Sequence, residues 1–376
     1  MNVSHLQKLF FRAGVNPGTV KSIEELRGDA STRTYFRVTL EGKDGAGDAT
    51  TTMVMMKYPA SHVVDGELAY LNVHRYMTAA GIPVPRVYLH IPEEEILLLE
   101  DAGDTTLEDM VEKIGFGRKV TEIYEDAIDQ IVAVQRRGSR CLDGRALPSK
   151  HSFDFDKLMW EMNFLATWGL EKLESVRGRK RVVSDFAVHI EPVINDIITL
   201  PLVLAHRDYH SRNIMVLPGG GIRIIDFQDA RMGSAYYDLS SLLFDSYVVI
   251  PESKRDRLFS RYTGQVEGEP FATWKSGEEH FDNLFTMAIQ RNLKALGTFF
   301  FMFHGRGDGR YLRYVGPTIT YLRENPVLKN KYGRLSAHIL PLLESLADQI
   351  KNKGGGFIEG YDPRGRPGDQ APSSDV

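Results

Sequence analysis

Two carboxylates and one amide follow predicted strands between residues 202 and 238. Asp208 and Asn213 lie five positions apart on a loop after an apolar run, and Asp226 follows the next apolar run after a glycine-rich turn. A short hairpin would return this third residue to the same end of the strands. Carboxylate and amide oxygens suit Mg²⁺, which also takes phosphate oxygens as ligands. A carboxylate free of metal can accept a proton from a hydroxyl. The pattern therefore predicts phosphoryl transfer to an alcohol.

The elements before this segment are mostly strands. Residues 35–40 and 51–56 are rich in strand formers, and the second run ends at Lys57. The small polar group Gly28–Thr32 predicts a tight loop that can direct N–H groups at phosphates, although ordinary hairpin turns use the same residues. A helix with Val73, Tyr76, Met77 and Ala80 on one face and strands over residues 85–89 and 95–99 complete this part of the chain.

The chain changes from strand-rich to helix-rich after a polar connector at residues 100–104, where Thr105–Glu108 fits a capping box. This change predicts an α+β, bilobal fold. Residues 1–103 form a small N-terminal lobe with a β-sheet and a helix, and residues 104–353 form a larger, mainly helical lobe. Residues 354–376, rich in Gly, Pro, Ser and Asp, are predicted to be a disordered tail.

Composition excludes several classes of protein. The 376 residues carry a net charge of -4, which offers no global field for nucleic acid or an anionic membrane. Cys141 is the one cysteine, so no intramolecular disulfide can form. The first 11 residues lack the apolar core of a signal peptide, and no run approaches the ~20 apolar residues of a membrane span. We expect a cytoplasmic protein with a small-molecule substrate and no protein partner.

The chemistry-bearing residues resemble known motifs. His206-Arg207-Asp208 followed by Asn213 resembles the kinase catalytic loop in residue type and spacing. Asp226-Phe227 resembles the magnesium-binding element of kinases, with Gln228 where protein kinases have glycine. With Tyr237-Asp238-Leu239 downstream, the pattern is similar to the aminoglycoside phosphotransferase family. The resemblance implies a protein-kinase-like fold that uses ATP and Mg²⁺.

A narrower resemblance concerns the acceptor. Residues 28–36, 206–215 and 291–294 most resemble the members of this family that phosphorylate N-acetylmuramate and N-acetylglucosamine at the anomeric hydroxyl during peptidoglycan recycling. The resemblance to the family covers roughly residues 20–350. It implies an amino sugar as the acceptor.

The resemblance also implies roles for single residues of the catalytic segment. Asp208 would be the base or orienter of the acceptor hydroxyl. Asn213 and Asp226 would hold Mg²⁺. Asp238 would brace the catalytic loop rather than touch the substrate.

A further set of residues is expected at ATP. Lys57 would contact the α- and β-phosphates and pair with Glu67, ten positions later. The loop hydroxyls would lie over the phosphates, and backbone groups of the connector would meet adenine. The ATP-binding set is Ser31, Thr32, Lys57, Glu67, Glu100 and Ala102.

The acceptor is expected to be small. Asp238 lies twelve positions after Asp226, which leaves no room for the activation loop of a protein kinase. A cation such as choline would call for an aromatic or acidic cage, and an anionic sugar for Arg or Lys. Arg291 and Lys294 fall on one helical turn, a pattern that favours a solvated face over an anion contact. The candidate acceptor contacts are Arg33, Arg212, Gln228 and Arg291.

Two other functions stay open at this point. The protein could phosphorylate another small alcohol, such as an aminoglycoside or a choline-like compound. It could also be a pseudokinase that binds nucleotide without turnover. The intact set Asp208, Asn213, Asp226 and Lys57 argues against the second of these.

Overall fold

The computed structural model describes residues 3–12, 18–26, 32–44, 47–174 and 179–352. Ser31 and the predicted tail at residues 354–376 lie outside these ranges. Within them, no helix is long and apolar enough to cross a membrane.

Eleven strands lie within the described ranges. They are β1 (Thr19–Leu26), β2 (Thr34–Asp44), β3 (Gly47–Lys57), β4 (Val63–Val64), β5 (Glu67–Leu68), β6 (Val87–Ile91), β7 (Ile96–Glu100), β8 (Leu202–Ala205), β9 (Ile214–Val216), β10 (Ile222–Ile224) and β11 (Arg231–Ser234).

Fourteen α-helical segments lie in the same ranges, most of them after residue 106. They are α1 (Val3–Arg12), α2 (Ala69–Ala79), α3 (Leu107–Ile114), α4 (Arg118–Ala133), α5 (Ser139–Cys141), α6 (Leu147–Lys150), α7 (Phe155–Trp168), α8 (Arg179–Ile198), α9 (Tyr236–Leu243), α10 (Glu252–Val266), α11 (Gly277–Arg306), α12 (Val315–Glu324), α13 (Pro326–Asn330) and α14 (Gly333–Asn352).

The N-terminal lobe is built on a five-stranded sheet in the order β1-β2-β3-β7-β6, with every pair antiparallel. Side chains alternate between its two faces. One face buries Val38 and Met55 against Leu6 and Phe10 of α1. The opposite face packs on α2 and continues into the core of the helical lobe. The predicted α+β, bilobal fold with an antiparallel sheet and a mainly helical second lobe is confirmed.

The boundary between sheet and helices differs from the prediction by one residue. Thr106, rather than Thr105, caps α3, and its hydroxyl accepts from the Asp109 amide at 3.1 Å. The Asp109 carboxylate in turn accepts from the Thr106 amide at 2.8 Å. Glu108, the residue predicted to close this box, is buried and accepts from the Tyr314 hydroxyl instead. Because two threonines and two acids are adjacent in the sequence, the capping box could begin at Thr105 or at Thr106. The burial of Glu108 selects the box that begins at Thr106.

Helix α11 is the 30-residue centre of the second lobe. Gly297 lets it approach α7 closely, because a Cβ at this position would lie 3.1 Å from backbone atoms of Leu165. Leu293 and Phe300 are fully buried on the same helix. This packing fixes the face of α11 that carries Arg291 and Lys294, and both side chains line the cavity described next.

Candidate active site

The predicted catalytic loop, residues 206–213, lies between β8 and β9. An antiparallel hairpin of β9 and β10 returns the chain to this loop, and the Ile225 amide donates to the Asn213 carbonyl at 3.0 Å. His206, fully buried, contacts the Ile225 carbonyl through Nε2 at 3.0 Å. Asp208, Asn213 and Asp226 therefore line one cavity of about 520 Å³ between the lobes. The hairpin anticipated from the glycine-rich turn brings these three residues together.

The backbone of the site is held in an unfavourable conformation. Arg207 and Asp226 have φ of +88° and +64°, which residues with a Cβ seldom adopt. Buried Asp238 accepts from the amides of His206 at 2.6 Å and Arg207 at 3.0 Å. These bonds hold the start of the loop against that strain. The predicted bracing role of Asp238 is confirmed.

Three cations surround the Asp208 carboxylate. Lys294 donates a hydrogen bond to Oδ1, Arg291 lies 3.6 Å from the same oxygen, and Arg207 lies 3.8 Å from Oδ2. Burial by itself would raise the pKa of Asp208, but Lys294, Arg207 and Arg291 together hold that pKa well below its usual range. Asp208 is thus an ionised hydrogen-bond acceptor at neutral pH.

The expectation of a solvated face at Arg291 and Lys294 is wrong. Arg291 is 7% exposed and donates to the Ser241 hydroxyl and to the Tyr237 hydroxyl, both at 2.6 Å. Its guanidinium also lies over the Tyr237 ring, 4.4 Å from the centroid. These contacts fix Arg291 beneath the catalytic loop, so we describe it as a residue that positions Asp208.

The groups predicted to hold a metal are oriented by neighbours. Asn213 donates its side-chain nitrogen to the Asp208 carbonyl at 2.8 Å, so its amide oxygen is the atom that suits a cation. The Asp226 carboxylate accepts from Gln228 at 2.8 Å and pairs with Arg33 at 3.4 Å. Gln228 thus contacts the proposed metal ligand in this structure. The amide and carboxylate oxygens form a hard donor pair that fits Mg²⁺.

The far end of the cavity combines aromatic and charged groups. The Arg212 guanidinium lies 4.9 Å from the Tyr247 ring centroid and 5.4 Å from that of Tyr311. Its Nε is 3.2 Å from buried Glu108, which also accepts from the Tyr314 hydroxyl at 2.6 Å. This cluster fixes an arginine at the wall of the cavity.

Asp245 is a further carboxylate at this end. It accepts from the backbone amides of Ser211 and Tyr247, both at 2.8 Å, and burial raises its pKa to about 7. Burial lowers the pKa of the neighbouring His210 to about 3, so this imidazole is neutral. Sequence reasoning missed Asp245, which lies outside the segments that resembled a kinase motif, and gave Glu108 only the role of a helix cap.

Of the residues predicted to bind ATP, Thr32 lies in the cavity, whereas Lys57 and Glu67 have other surroundings. Thr32 lines the cavity, and its hydroxyl is 2.9 Å from His62 Nε2. Lys57 is an exposed residue at the end of β3, opposite Thr34. Glu67 contacts Arg75 and Asn72, and the described side chains include no ion pair between it and Lys57. The predicted Lys57–Glu67 pair is therefore not formed here, because Arg75 on α2, eight positions after Glu67, takes this carboxylate as its partner.

The connector between the lobes is fixed by ion pairs. Glu100 pairs with Arg223 at 2.9 Å, and its amide donates to the Arg86 carbonyl at 2.8 Å. Asp101 accepts from Arg37 at 2.7 Å, and buried Ala102 follows it. The Glu100 N–H is therefore already occupied by the Arg86 carbonyl.

The fold, with Asp208, Asn213 and Asp226 in a cavity between two lobes, is that of the protein-kinase-like phosphotransferases. The chain belongs to the phosphotransferase enzyme family, which matches residues 22–278. Among curated relatives, it is similar to N-acetylmuramate/N-acetylglucosamine kinase of Pseudomonas aeruginosa, at 28% identity over 85% of this chain and 88% of that protein. The kinase of the same name from Neisseria meningitidis serogroup B is 26% identical over 85% and 90% of the two chains.

Solved structures share the fold at lower identity. Choline kinase LicA from Streptococcus pneumoniae superposes with a TM-score of 0.52 at 14% identity, over 85% of this chain and 99% of that one. A thermostable mutant of the aminoglycoside phosphotransferase APH(4)-Ia, in complex with AMP-PNP and hygromycin B, gives a TM-score of 0.53 at 14% identity, over 91% of this chain and 98% of that one. With the family assignment, the kinase-named relatives identify the protein as a small-molecule kinase.

Proposed function

We propose that the protein transfers the γ-phosphoryl group of ATP, with Mg²⁺, to the anomeric hydroxyl of N-acetylmuramate or N-acetylglucosamine. The observation that carries this proposal is the cavity of about 520 Å³ between the lobes, which is lined by both Asp208 and Arg212. The names of the curated relatives support the choice of sugar.

Asn213 and Asp226 are the residues that would hold Mg²⁺. Within the described ranges, no group of three or more His, Cys, Asp and Glu side chains is arranged for a metal ion. This suits an ion that takes its remaining ligands from water and from nucleotide phosphates. When bound, Mg²⁺ supplies charge neutralisation for the phosphates.

The nucleotide would approach from the N-terminal lobe. Ser31 and Thr32 of the polar loop are proposed to lie over the phosphates, with Lys57 reaching them from the end of β3. Glu67, paired with Arg75 here, would change partner if it orients Lys57 in the nucleotide complex. The carbonyl of Glu100 and the backbone of Ala102 would meet adenine.

Asp208 acts in this mechanism mainly by orientation. A carboxylate with a low pKa is a weak base, but it accepts a hydrogen bond from a hydroxyl and aims the oxygen at phosphorus. Phosphoryl transfer passes through a loose transition state, so positioning and charge stabilisation supply most of the catalysis. The hydroxyl proton leaves by way of Asp208 late in the reaction.

Charge distribution favours a sugar over the cationic acceptors. A quaternary amine is recognised by an aromatic cage, but the Tyr247 and Tyr311 rings already contact the Arg212 guanidinium. A polycationic aminoglycoside would meet Arg212 and Lys294 in the same cavity. A carboxylate, as on the lactyl group of N-acetylmuramate, would be attracted to a planar guanidinium.

The test is a screen of acceptors with ATP and Mg²⁺. Amino sugars, choline and aminoglycosides would be compared by nucleotide consumption, and the position of the new phosphate would be assigned by ³¹P NMR. We expect a 1-phosphate of an N-acetylated amino sugar. Phosphorylation of another alcohol alone would reject the sugar, and absence of transfer to every acceptor would favour the pseudokinase.

A further inference from the structure

Arg33 bridges the two lobes at the proposed metal ligand. Its Nη1 lies 3.4 Å from Asp226 Oδ1 and donates to the Tyr35 hydroxyl at 3.3 Å. Its Nε donates to His62 Nδ1 at 3.2 Å. Because that nitrogen accepts, the His62 proton lies on Nε2, where it donates to the Thr32 hydroxyl. Tyr35 and His62 of the N-terminal lobe therefore orient the guanidinium towards Asp226 of the other lobe.

The contact with Asp226 uses the same oxygen that accepts from Gln228. Coordination of a cation through this oxygen competes with both donors. The Arg33 side chain is 9% exposed and that of Asp226 is 46% exposed, so the arginine is fixed and the carboxylate is the open partner. At 3.4 Å the pair is a long one, which a divalent cation would readily replace.

Three other cations of the cavity make contacts shorter than the 3.4 Å pair of Arg33 with Asp226. Lys294 donates to Asp208, Arg291 donates to two hydroxyls, and Arg212 pairs with Glu108. Arg33 differs because it comes from the loop above the catalytic residues and faces the transfer site from the opposite lobe. A guanidinium in this place matches the equatorial oxygens of a transferring phosphoryl group.

We propose that Arg33 exchanges partners: it neutralises Asp226 in the metal-free protein and binds the transferred phosphoryl group once Mg²⁺ and ATP occupy the site. This inference rests on the proposed kinase reaction. The bond from the γ-phosphorus to the bridging oxygen of ADP breaks as the bond to the acceptor oxygen forms, and the hydroxyl proton leaves through Asp208. Arg33 stays charged throughout and lowers the barrier by stabilising the phosphoryl oxygens.

The exchange predicts opposite effects on metal affinity and on turnover. In Arg33→Ala, Mn²⁺ alone, followed by electron paramagnetic resonance without nucleotide, should bind about two- to fivefold tighter, since a partly exposed ion pair no longer competes. The kcat should fall ~10²-fold or more, as for the loss of a preorganised cation. Arg33→Lys keeps a charge beside Asp226 without the planar fork, so Mn²⁺ affinity should stay near wild type while kcat stays low.

A purely structural role predicts another pattern. Arg33→Ala would then bind Mn²⁺ as the wild type does or more weakly, while its turnover falls. Arg33→Lys would restore both Mn²⁺ affinity and turnover. Each of these results overturns the exchange, and so does an unchanged kcat in Arg33→Ala. Arg118→Ala, an exposed arginine on α4, is the matched control. Circular dichroism checks that each variant is folded. If Asp226→Ala binds Mn²⁺ like the wild type, Asp226 is not a metal ligand, and the exchange is overturned even where the wild type is an active kinase.

The test does not depend on the identity of the sugar. The Mn²⁺ measurement needs no acceptor, and turnover is measured with whichever acceptor the wild type phosphorylates. With no acceptor found, ATP hydrolysis replaces it as the kinetic measurement. If the acceptor is not a sugar, the measurements on the Arg33 variants therefore still test the exchange.

Discussion

Lys294 and Asp208 form the ion pair at the centre of the site, although 86 positions separate them in the chain. The ammonium group comes from α11 and the carboxylate from the catalytic loop. Both lie in the wall of the same cavity. The pair lowers the pKa of Asp208 and fixes the oxygen that would face an acceptor hydroxyl, so the long helix contributes directly to the proposed catalytic centre.

Replacing Asp208 with Asn should lower kcat by ~10²- to 10⁴-fold, because an amide cannot accept the hydroxyl proton. Affinity for Mg·ATP should be nearly unchanged, since the substitution removes a contact with the acceptor hydroxyl and none with the nucleotide. Steady-state kinetics and calorimetry would measure the two. Turnover near the wild-type value would refute the assignment of Asp208.

Replacing Lys294 with Ala removes the largest of the cationic effects that lower the pKa of Asp208. Without that cation the ionised form of Asp208 is less favoured, so the pKa of Asp208 rises. The acidic limb of the pH profile of kcat/KM should therefore move to higher pH, with a lower plateau. Lys294→Arg is the matched control, and it should keep the limb near its wild-type position. An unshifted limb in Lys294→Ala would separate this lysine from the ionisation of Asp208.

Replacing Asp226 with Ala should abolish transfer and weaken the metal-dependent part of nucleotide binding. Calorimetric titrations of ATP with Mg²⁺ and with EDTA would isolate this part. In the wild type the two titrations should differ, and in the variant they should converge. A variant that still distinguishes them would place the metal ligand elsewhere.

Replacing Arg212 with Met should reduce discrimination between the two amino sugars. N-acetylmuramate carries a carboxylate that N-acetylglucosamine lacks, so its kcat/KM should exceed that of N-acetylglucosamine in the wild type. A charge-assisted hydrogen bond lost from one substrate should close the gap by about 10- to 100-fold. Arg313→Ala is the matched control, because Arg313 also contacts Glu108 at 3.5 Å but does not line the catalytic cavity. Equal effects of the two variants would assign Arg212 to the support of Glu108 instead of the sugar.

The sequence by itself determined the parts of the site that are close along the chain. Asp208, Asn213 and Asp226 could be assembled in advance, because one loop and one hairpin carry all three. Asp238 could be given its bracing role from its motif. The change from strands to helices predicted two lobes, since alternation and helical periodicity are local signals.

Only the tertiary structure decided the contacts made across long separations. Arg291 and Lys294 share a helical turn that a solvated face would also show, and the packing of α11 on α7 buried that turn against Asp208. Glu67 took Arg75 as its partner rather than Lys57. Arg33 met Asp226 across 193 positions. The local sequence pattern indicates which residues share a face of a helix or strand. The partner of a charged side chain depends on which surfaces pack together, and this packing is determined by the hydrophobic core as a whole.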